Sequence, residues 1–199
     1  MGIRLNDISK SYNGRKVIEH FTLEFPDRGI TVLMAPSGAG KTTLLRIIAG
    51  LEKPDSGTVD FQGDRVAVVF QEARLFPWLT AAENITAAAG VSRERAAALL
   101  EEFHMGTELD LYPAELSGGM QRRVALARAF AYGGALLLDE PFNGLDEELV
   151  REIMGKIKVY AKSQPVLLVT HNPEEARLTE GTVLHLEKLI RSEVTNKNF

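Results

Sequence analysis

A run of small residues followed by a lysine and two threonines has the composition of a phosphate-binding loop. The run reads Ala35-Pro36-Ser37-Gly38-Ala39-Gly40-Lys41-Thr42-Thr43. The amides of such a loop, together with the dipole of a helix that begins behind it, attract phosphate oxygens. The lysine ammonium can reach the β- and γ-phosphates of a nucleotide, and the hydroxyl of Thr42 can bind Mg²⁺.

The first position of this loop departs from the pattern G-x-x-x-x-G-K-[ST], because Ala35 stands where glycine is usual. Alanine has a Cβ atom and avoids positive φ. Two alternatives follow: Ala35 keeps a negative φ, or the loop carries some strain. Gly38, Gly40 and Lys41 keep their register behind an apolar run at 30–34, so we still expect the loop to bind phosphate.

Charged side chains appear abruptly where two other apolar runs end. Asp139 and Glu140 follow the run at 135–138, and His171 follows the run at 165–170. The carboxyl ends of parallel strands meet at one edge of a sheet, where ligands bind, and the phosphate loop lies at that same edge. We expect Asp139 to help hold Mg²⁺ and Glu140 to polarise an attacking water.

The elements that must position these residues alternate between short apolar runs and helical patterns. Residues 3–8 and 17–25, joined by a turn at 12–14, predict an antiparallel patch. Buried strands are predicted at 30–34, 66–70, 135–138, 165–170 and 182–186. Helices are predicted behind the phosphate loop, from Leu116 to about Gly133, over 147–161 and from Pro173.

The bulk properties fit one globular domain and exclude several classes of protein. The chain has 199 residues, a formal net charge of −4 and no cysteine, so disulfides, thiolate catalysis and cysteine-ligated zinc are excluded. The acidic balance argues against a nucleic-acid partner. No apolar run approaches the roughly 18 residues of a membrane span, and the first seven residues do not have the apolar core of a signal peptide. We expect residues 1–199 to form one cytoplasmic domain with a polar tail after Leu189 that frays.

Residues 72–117 change character and predict a small helical insertion. The residues with helical apolar spacing are Ala96, Leu99, Leu100 and Phe103. Ahead of them, Phe76 and Trp78 lie in a loop. These aromatic groups either form a small satellite core or line a surface groove that receives a partner helix. On the second alternative, both side chains should be at least partly exposed.

Two further features carry little weight when taken alone. The segment Leu116-Ser117-Gly118-Gly119 is a second glycine-rich helix start, which could bind phosphate but is by itself more typical of a loop. Tyr12 is either an ordinary turn aromatic or a platform on which a nucleotide base stacks.

Together these residues resemble one family, the ATP-binding-cassette (ABC) ATPases, from about Ile3 to Leu186. The matching segments are the Walker A loop at 35–43, the Q-loop Gln71, the signature at 116–119, Walker B with its glutamate at 136–140, the end of the D-loop at 145–146, the switch histidine His171 and the adenine-stacking Tyr12. The chain departs from the family at Ala35, at Met120 in place of glutamine, and at Asn143-Gly144 in place of Ser-Ala.

The resemblance implies the fold class α/β: a P-loop NTPase core with a mostly parallel sheet flanked by helices, an N-terminal antiparallel β patch and the helical insertion at about 72–117. It implies ATP and Mg²⁺ as cofactors. Nucleotide contacts are implied at Tyr12, Val17, Pro36, Ser37, Gly38, Ala39, Gly40, Lys41, Thr42, Thr43, Ser117, Gly118 and Gly119. Metal contacts are implied at Thr42, Gln71 and Asp139, and catalytic roles at Glu140, His171, Gln71 and Lys41.

The resemblance also implies partners. In this family two cassettes close head-to-tail around two ATP molecules, so Ser117, Gly118 and Gly119 would contact the γ-phosphate held by a second copy of the chain. Closure and reopening would drive a polytopic permease subunit from the cytoplasmic face of the cell membrane. The segments at 76–80 and 117–120 together resemble the importer ATPases of the nitrate, sulfonate and taurine group, which implies an extracytoplasmic substrate-binding protein in the same system.

Two other classes of protein share parts of this pattern. Non-transport cassettes act on DNA or ribosomes, but the stretch from Lys41 to Ser117 has no room for a long coiled coil, and the chain has one cassette rather than two. Small-molecule kinases share only the phosphate loop, so the signature and His171 argue against them. In the family that the chain resembles, the ATPase subunit does not touch the cargo, so the resemblance does not imply which cargo is carried.

Overall fold

The computed structural model describes residues 2–36, 38–61 and 63–185, and the backbone of 195–197. Its strands are β1 (Ile3–Tyr12), β2 (Arg15–Phe25), β3 (Gly29–Met34), β4 (Ser56–Phe61), β5 (Val66–Val69), β6 (Ala135–Asp139), β7 (Pro165–Thr170), β8 (Thr182–His185) and β9 (Thr195–Lys197). Its helices are α1 (Lys41–Ile48), α2 (Ala81–Ala89), α3 (Arg93–Glu102), α4 (Gly118–Tyr132), α5 (Glu147–Ala161) and α6 (Pro173–Thr179), with a 3₁₀ turn at Pro113–Glu115.

The larger sheet has the strand order β5-β6-β7-β3-β8-β9. Its first five strands run parallel, whereas β9 runs antiparallel to β8. The connections between the parallel strands carry helices, as parallel pairing requires. This arrangement confirms the predicted α/β fold class and brings the carboxyl ends of β3, β5, β6 and β7 to one edge.

Every residue of β6 and β7 is buried, which is typical of parallel strands that are covered on both faces. Successive side chains point to opposite faces of a strand. Accordingly, Leu136 and Leu138 join a core with α2, α3, α4 and α5, while Ala135 and Leu137 join a second core with α1 and the smaller sheet. The leucine-rich run therefore builds both layers.

The smaller sheet is antiparallel, with the order β2-β1-β4. The turn at Asn13-Gly14 joins β1 and β2 as predicted, although β1 continues to Tyr12, beyond the predicted end at residue 8. The extension matters because it carries Tyr12 to the end of the sheet that lies beside the phosphate loop.

Apart from the end of β1 and the region near the C-terminus, the predicted helices and strands agree with the structure to within a few residues. Helix α5 and strand β7 have the predicted bounds, and α2, α3 and the 3₁₀ turn lie within the expected insertion at 72–117. The predicted end of the last strand at residue 186 lies outside the described residues. The expectation of a fraying tail is wrong at 195–197, because their backbone pairs with β8.

Candidate functional site

A cavity of about 420 Å³ opens at the carboxyl edge of the parallel sheet. It is lined by Tyr12, Val17, Gly38, Gly40, Lys41, Thr42, Thr43, Gln71, Asp139, Glu140, Asn143 and His171. The strands dictate this gathering, because the phosphate loop follows β3, Gln71 follows β5, Asp139 ends β6 and His171 follows β7. Most of the residues expected to contact nucleotide therefore meet in one place.

The phosphate loop takes the form that its glycines allow. Gly38 and Gly40 have φ values of 79° and 89°, a left-handed region that a side chain disfavours. Ala35 is not among the residues with positive φ, so the first of the two alternatives holds and the alanine is accommodated without strain. The ammonium of Lys41 donates to the carbonyl oxygens of Ala35, at 2.6 Å, and Pro36, at 3.2 Å.

The N-terminus of α1 fits an anion. The cap position is Gly40, so no side chain accepts hydrogen bonds from the amides of the first helical turn. The first of those amides belong to Lys41 and Thr42, and both residues line the cavity. With the positive end of the helix dipole behind them, they are donors available to phosphate oxygens.

A pair of oxygen ligands lies beside the loop. The hydroxyl of Thr42 donates to Oδ2 of Asp139 at 2.6 Å, and Asp139 is buried. Burial raises the pKa of the Asp139 carboxyl, and the hydrogen bond from Thr42 opposes this shift. In the described part of the chain no three His, Cys, Asp or Glu residues form a metal cluster. The hydroxyl of Thr42 and the carboxylate of Asp139 suit Mg²⁺, which binds one or two protein oxygens and completes its shell with phosphate and water.

Glu140 is held in an unusual backbone conformation. Its φ is 49°, and its amide donates to the carbonyl of Val169 on the neighbouring strand at 2.9 Å. A non-glycine residue in this region costs about 1–3 kcal/mol and often marks a functional position. The side chain is only 7% exposed, and its Oε1 lies 2.8 Å from Nδ1 of His171 and 3.9 Å from Nζ of Lys41.

Gln71 enters the cavity on a backbone that a buried arginine holds. Arg122 on α4 donates to the carbonyl oxygens of Phe70, at 2.5 Å, and Gln71. Arg128, further along α4, donates to the carbonyls of Ala73 and Arg74, each at 3.0 Å. Sequence reasoning missed both arginines. The signal in the sequence was that Arg122 falls among the apolar residues of the buried face of α4.

Tyr12 and Val17 line the side of the cavity formed by the smaller sheet. The Tyr12 hydroxyl donates to Glu52, and the ammonium of Lys10 lies 5.4 Å from the centre of the ring. Lys10 also pairs with Glu52 at 3.3 Å. The ring is thus fixed by neighbours outside the cavity, which the sequence pattern did not reveal.

Several expected contact residues lie elsewhere. Ser117 and Gly118 are exposed at the start of α4, and with Gly119 they do not line the cavity. Pro36 presents its carbonyl to Lys41, and Ala39 packs into the core. Ser37 lies outside the described residues.

The loop after Gln71 carries the aromatic residues at the surface. Trp78 is 69% exposed and Phe76 is 39% exposed, which confirms the expected exposure. Their rings lie 5.9 Å apart. The fully buried Asn84 of α2 fixes this loop, since its side-chain amide accepts from the amide of Phe76 and donates to the carbonyls of Phe76 and Leu79.

The fold and the cavity define a phosphate-loop nucleotide hydrolase: a glycine-rich loop and lysine for phosphate, oxygen ligands for a cation, and a buried glutamate beside both. The family model described as ABC transporter matches residues 18–143. The chain therefore belongs to the ABC transporter family, as an ATP-binding subunit that hydrolyses ATP.

Individual relatives agree. The chain is 40% identical to the aliphatic sulfonates import ATP-binding protein SsuB 1 of Pseudomonas savastanoi pv. phaseolicola, over 92% of the chain and 79% of the relative. It is 36% identical to the arginine transport ATP-binding protein ArtP of Escherichia coli K12, over 94% of the chain and 89% of the relative. These relatives favour transport over a role with DNA or ribosomes.

A solved structure of similar fold is the dimeric, post-hydrolysis state of the ATP-binding cassette MJ0796 bound to ADP and Pi. Its TM-score is 0.89 at 27% identity, covering 99% of this chain and 100% of that one. Within the described residues, no helix of this chain is long and apolar enough to cross a membrane.

Proposed function

We propose that this chain hydrolyses Mg-ATP at the described cavity, as one of two copies that power an importer of small sulfonate-like anions. The proposal is supported above all by one observation: a single cavity brings together Lys41, Thr42, Asp139 and Glu140. Three features support its three parts. The site chemistry supports ATP hydrolysis, the exposed segment at 117–119 supports the second copy, and the loop with Phe76 and Trp78 supports the permease partner.

The site chemistry follows from the positions of the side chains. Lys41 and the first-turn amides of α1 bind the β- and γ-phosphates of ATP. The carboxylate of Glu140 accepts a hydrogen bond from the attacking water and polarises it. His171, within hydrogen-bond distance of Oε1 of Glu140, orients that carboxylate. Gln71, which lines the same cavity, positions the water.

Thr42 and Asp139 are the residues that would hold Mg²⁺, with Gln71 as a further oxygen ligand. Bound there, the ion neutralises charge that develops on the phosphate oxygens. The buried Asp139 suits this role, because a cation beside it would counter the burial that raises the pKa of its carboxyl.

The second copy supplies what the cavity lacks. Ser117, Gly118 and Gly119 stand at an exposed helix N-terminus away from the cavity of their own chain. In a head-to-tail dimer, each such N-terminus covers the γ-phosphate bound by the other copy. The dimeric cassette of similar fold supports this arrangement.

The permease partner meets the loop that carries Phe76 and Trp78. Large exposed aromatic groups on a fixed loop are typical of an interface anchor. The two ATPase copies lie at the cytoplasmic face of the membrane. An extracytoplasmic substrate-binding protein delivers the anion to the permease from the opposite face. The name of the aliphatic sulfonates import relative supports the substrate class.

The test is reconstitution with the permease in lipid vesicles. Replacing Phe76 and Trp78 together by serine should leave ATP binding unchanged but remove the stimulation of ATP hydrolysis by the permease. Leu51→Ser is a matched control, because Leu51 is an apolar residue that is 64% exposed and lies away from this loop. Stimulation by DNA or ribosomes, with no response to a permease, would contradict the transport proposal.

A further inference from the structure

Arg122 is a buried cation that the site chemistry described so far does not use. It is 6% exposed, although arginine is almost never fully buried without a charged partner. Burial lowers the pKa of its guanidinium, and the negative charge of Asp139 opposes this shift. Among the described residues no carboxylate pairs with it directly, and its hydrogen bonds go to the main-chain carbonyls of Phe70 and Gln71.

These two carbonyls are at the point where the chain leaves β5 and enters the cavity. The planar guanidinium donates to both at once, which fixes the orientation of the peptide as well as its position. Moving the Arg122 guanidinium from water to a buried position with two neutral acceptors costs free energy. Packing alone therefore does not account for an arginine at this position.

We propose that Arg122 is a positioning residue for ATP hydrolysis: it fixes the main chain of Gln71 so that the Gln71 side chain is directed at the attacking water. The inference rests on the role of Gln71 given under the proposed function. Arg122 does not line the cavity, so it acts on the reaction through Gln71 rather than by contact with ATP.

The chain offers a matched control in Arg128. It stands on the same helix and also donates to two consecutive carbonyls, but those belong to Ala73 and Arg74, beyond Gln71. Arg128→Gln therefore removes the same kind of contact from the same loop, without releasing the peptide that carries Gln71.

The experiment is a double-mutant cycle on steady-state ATP hydrolysis with Arg122→Gln and Gln71→Ala. Arg122→Gln should lower kcat by roughly 10- to 100-fold, the loss expected when a reacting group is displaced by about 1 Å. The KM for ATP should stay unchanged, since no contact with the nucleotide is lost. In the Gln71→Ala background, Arg122→Gln should cause no further fall in kcat. Arg128→Gln should leave kcat near that of the wild type.

Each other outcome has one meaning. If the two changes lower kcat independently, Arg122 does not act through Gln71 and the inference is overturned. If Gln71→Ala alone leaves kcat unchanged, the role of Gln71 in the proposed function fails first.

Should Arg122→Gln not fold, Arg122→Lys keeps the charge and loses the fork. Arg122→Lys should give a kcat between those of the wild type and Arg122→Gln. In the Gln71→Ala background it should not lower kcat further, and a further fall in kcat there would overturn the inference.

Discussion

Two helices of this molecule begin at glycine-rich loops, and their first turns are arranged in opposite ways. Helix α1 starts behind Gly40, lacks a side-chain cap and opens into a cavity that also holds Asp139 and Glu140. Helix α4 starts behind Ser117, whose hydroxyl accepts from the amide of Met120 at 3.2 Å, and Ser117 and Gly118 are exposed at this start.

The difference separates the helix end that binds ATP from the helix end that completes the ATP site. At the α1 end, Lys41, Asp139 and Glu140 line one cavity, so on the proposed function one copy is sufficient to bind ATP. The α4 end does not line that cavity, so on the proposed function it contacts only a nucleotide that a second copy binds. On the proposed function, the same physical device, an uncharged helix start that attracts phosphate, serves once within the chain and once between chains.

The sharpest test of the α1 end is Glu140→Gln. The change keeps the shape of the side chain but removes the charge that polarises water, so hydrolysis should slow by roughly 10²–10⁴-fold while Mg-ATP still binds. Unhydrolysed ATP should then hold two copies together, and sizing chromatography with Mg-ATP should show a dimer that reverts to monomer with ADP. Glu148→Gln, at an exposed position on α5, is the control. Hydrolysis at the wild-type rate in Glu140→Gln would remove this residue from the mechanism.

The next largest effect is expected from the cation of the α1 end. Lys41→Ala removes a charge-assisted contact to phosphate, worth about 1.5–3 kcal/mol, so ATP affinity should fall roughly 10- to 100-fold. Equilibrium nucleotide titration measures it, with the exposed Lys162→Ala as the control. Unchanged affinity would mean that the α1 end does not hold the triphosphate, and the contrast between the two ends would disappear.

A bulky residue at the α4 end tests the other half of the comparison. Ser117→Trp, made in the Glu140→Gln background, should weaken the ATP-dependent dimer at least roughly tenfold while each monomer still binds ATP. The substitution also removes the helix cap, which costs about 1 kcal/mol of stability. Retained ATP binding by the monomer shows that the variant is still folded. The exposed Ser163→Trp should leave the dimer intact. A Ser117→Trp protein that still dimerises would place the second contact elsewhere.

The smallest effect concerns the base, which neither helix end touches. Tyr12→Ala should weaken ATP binding by about fivefold to tenfold, because stacking on an aromatic ring is lost. Inorganic tripolyphosphate has no base, so its affinity should not change. Tyr12→Phe keeps the ring and should bind ATP nearly as the wild type does. Equal losses for ATP and tripolyphosphate would mean that Tyr12 affects the phosphate loop rather than the base.

The sequence predicted the fold well wherever local pattern decides it. The apolar runs at 135–138 and 165–169 have no polar face, and runs of this length are typical of buried strands. Helix α5 has an apolar stripe with an Asp146 cap. The strand order and the antiparallel return of β9 depend on contacts between distant segments, which local periodicity does not contain.

The candidate site was predictable in its ligand-facing residues and not in their supports. Lys41 stands out by type in a glycine-rich loop, and Asp139 and Glu140 stand out at the end of an apolar run. Arg122 and Lys10 act through main-chain carbonyls and through an aromatic ring, and such partners are defined by folding rather than by residue type.

The left-handed backbone at Glu140 has a consequence for how this protein can change under selection. Glycine adopts that conformation without strain, so Glu140→Gly should leave the free energy of unfolding about the same or higher, even as hydrolysis is lost. Selection for stability alone therefore does not retain a glutamate at position 140, whereas selection for transport does. A laboratory search for heat-resistant variants that ignored activity would tend to discard this residue, and a duplicated copy released from transport could lose it without losing its fold.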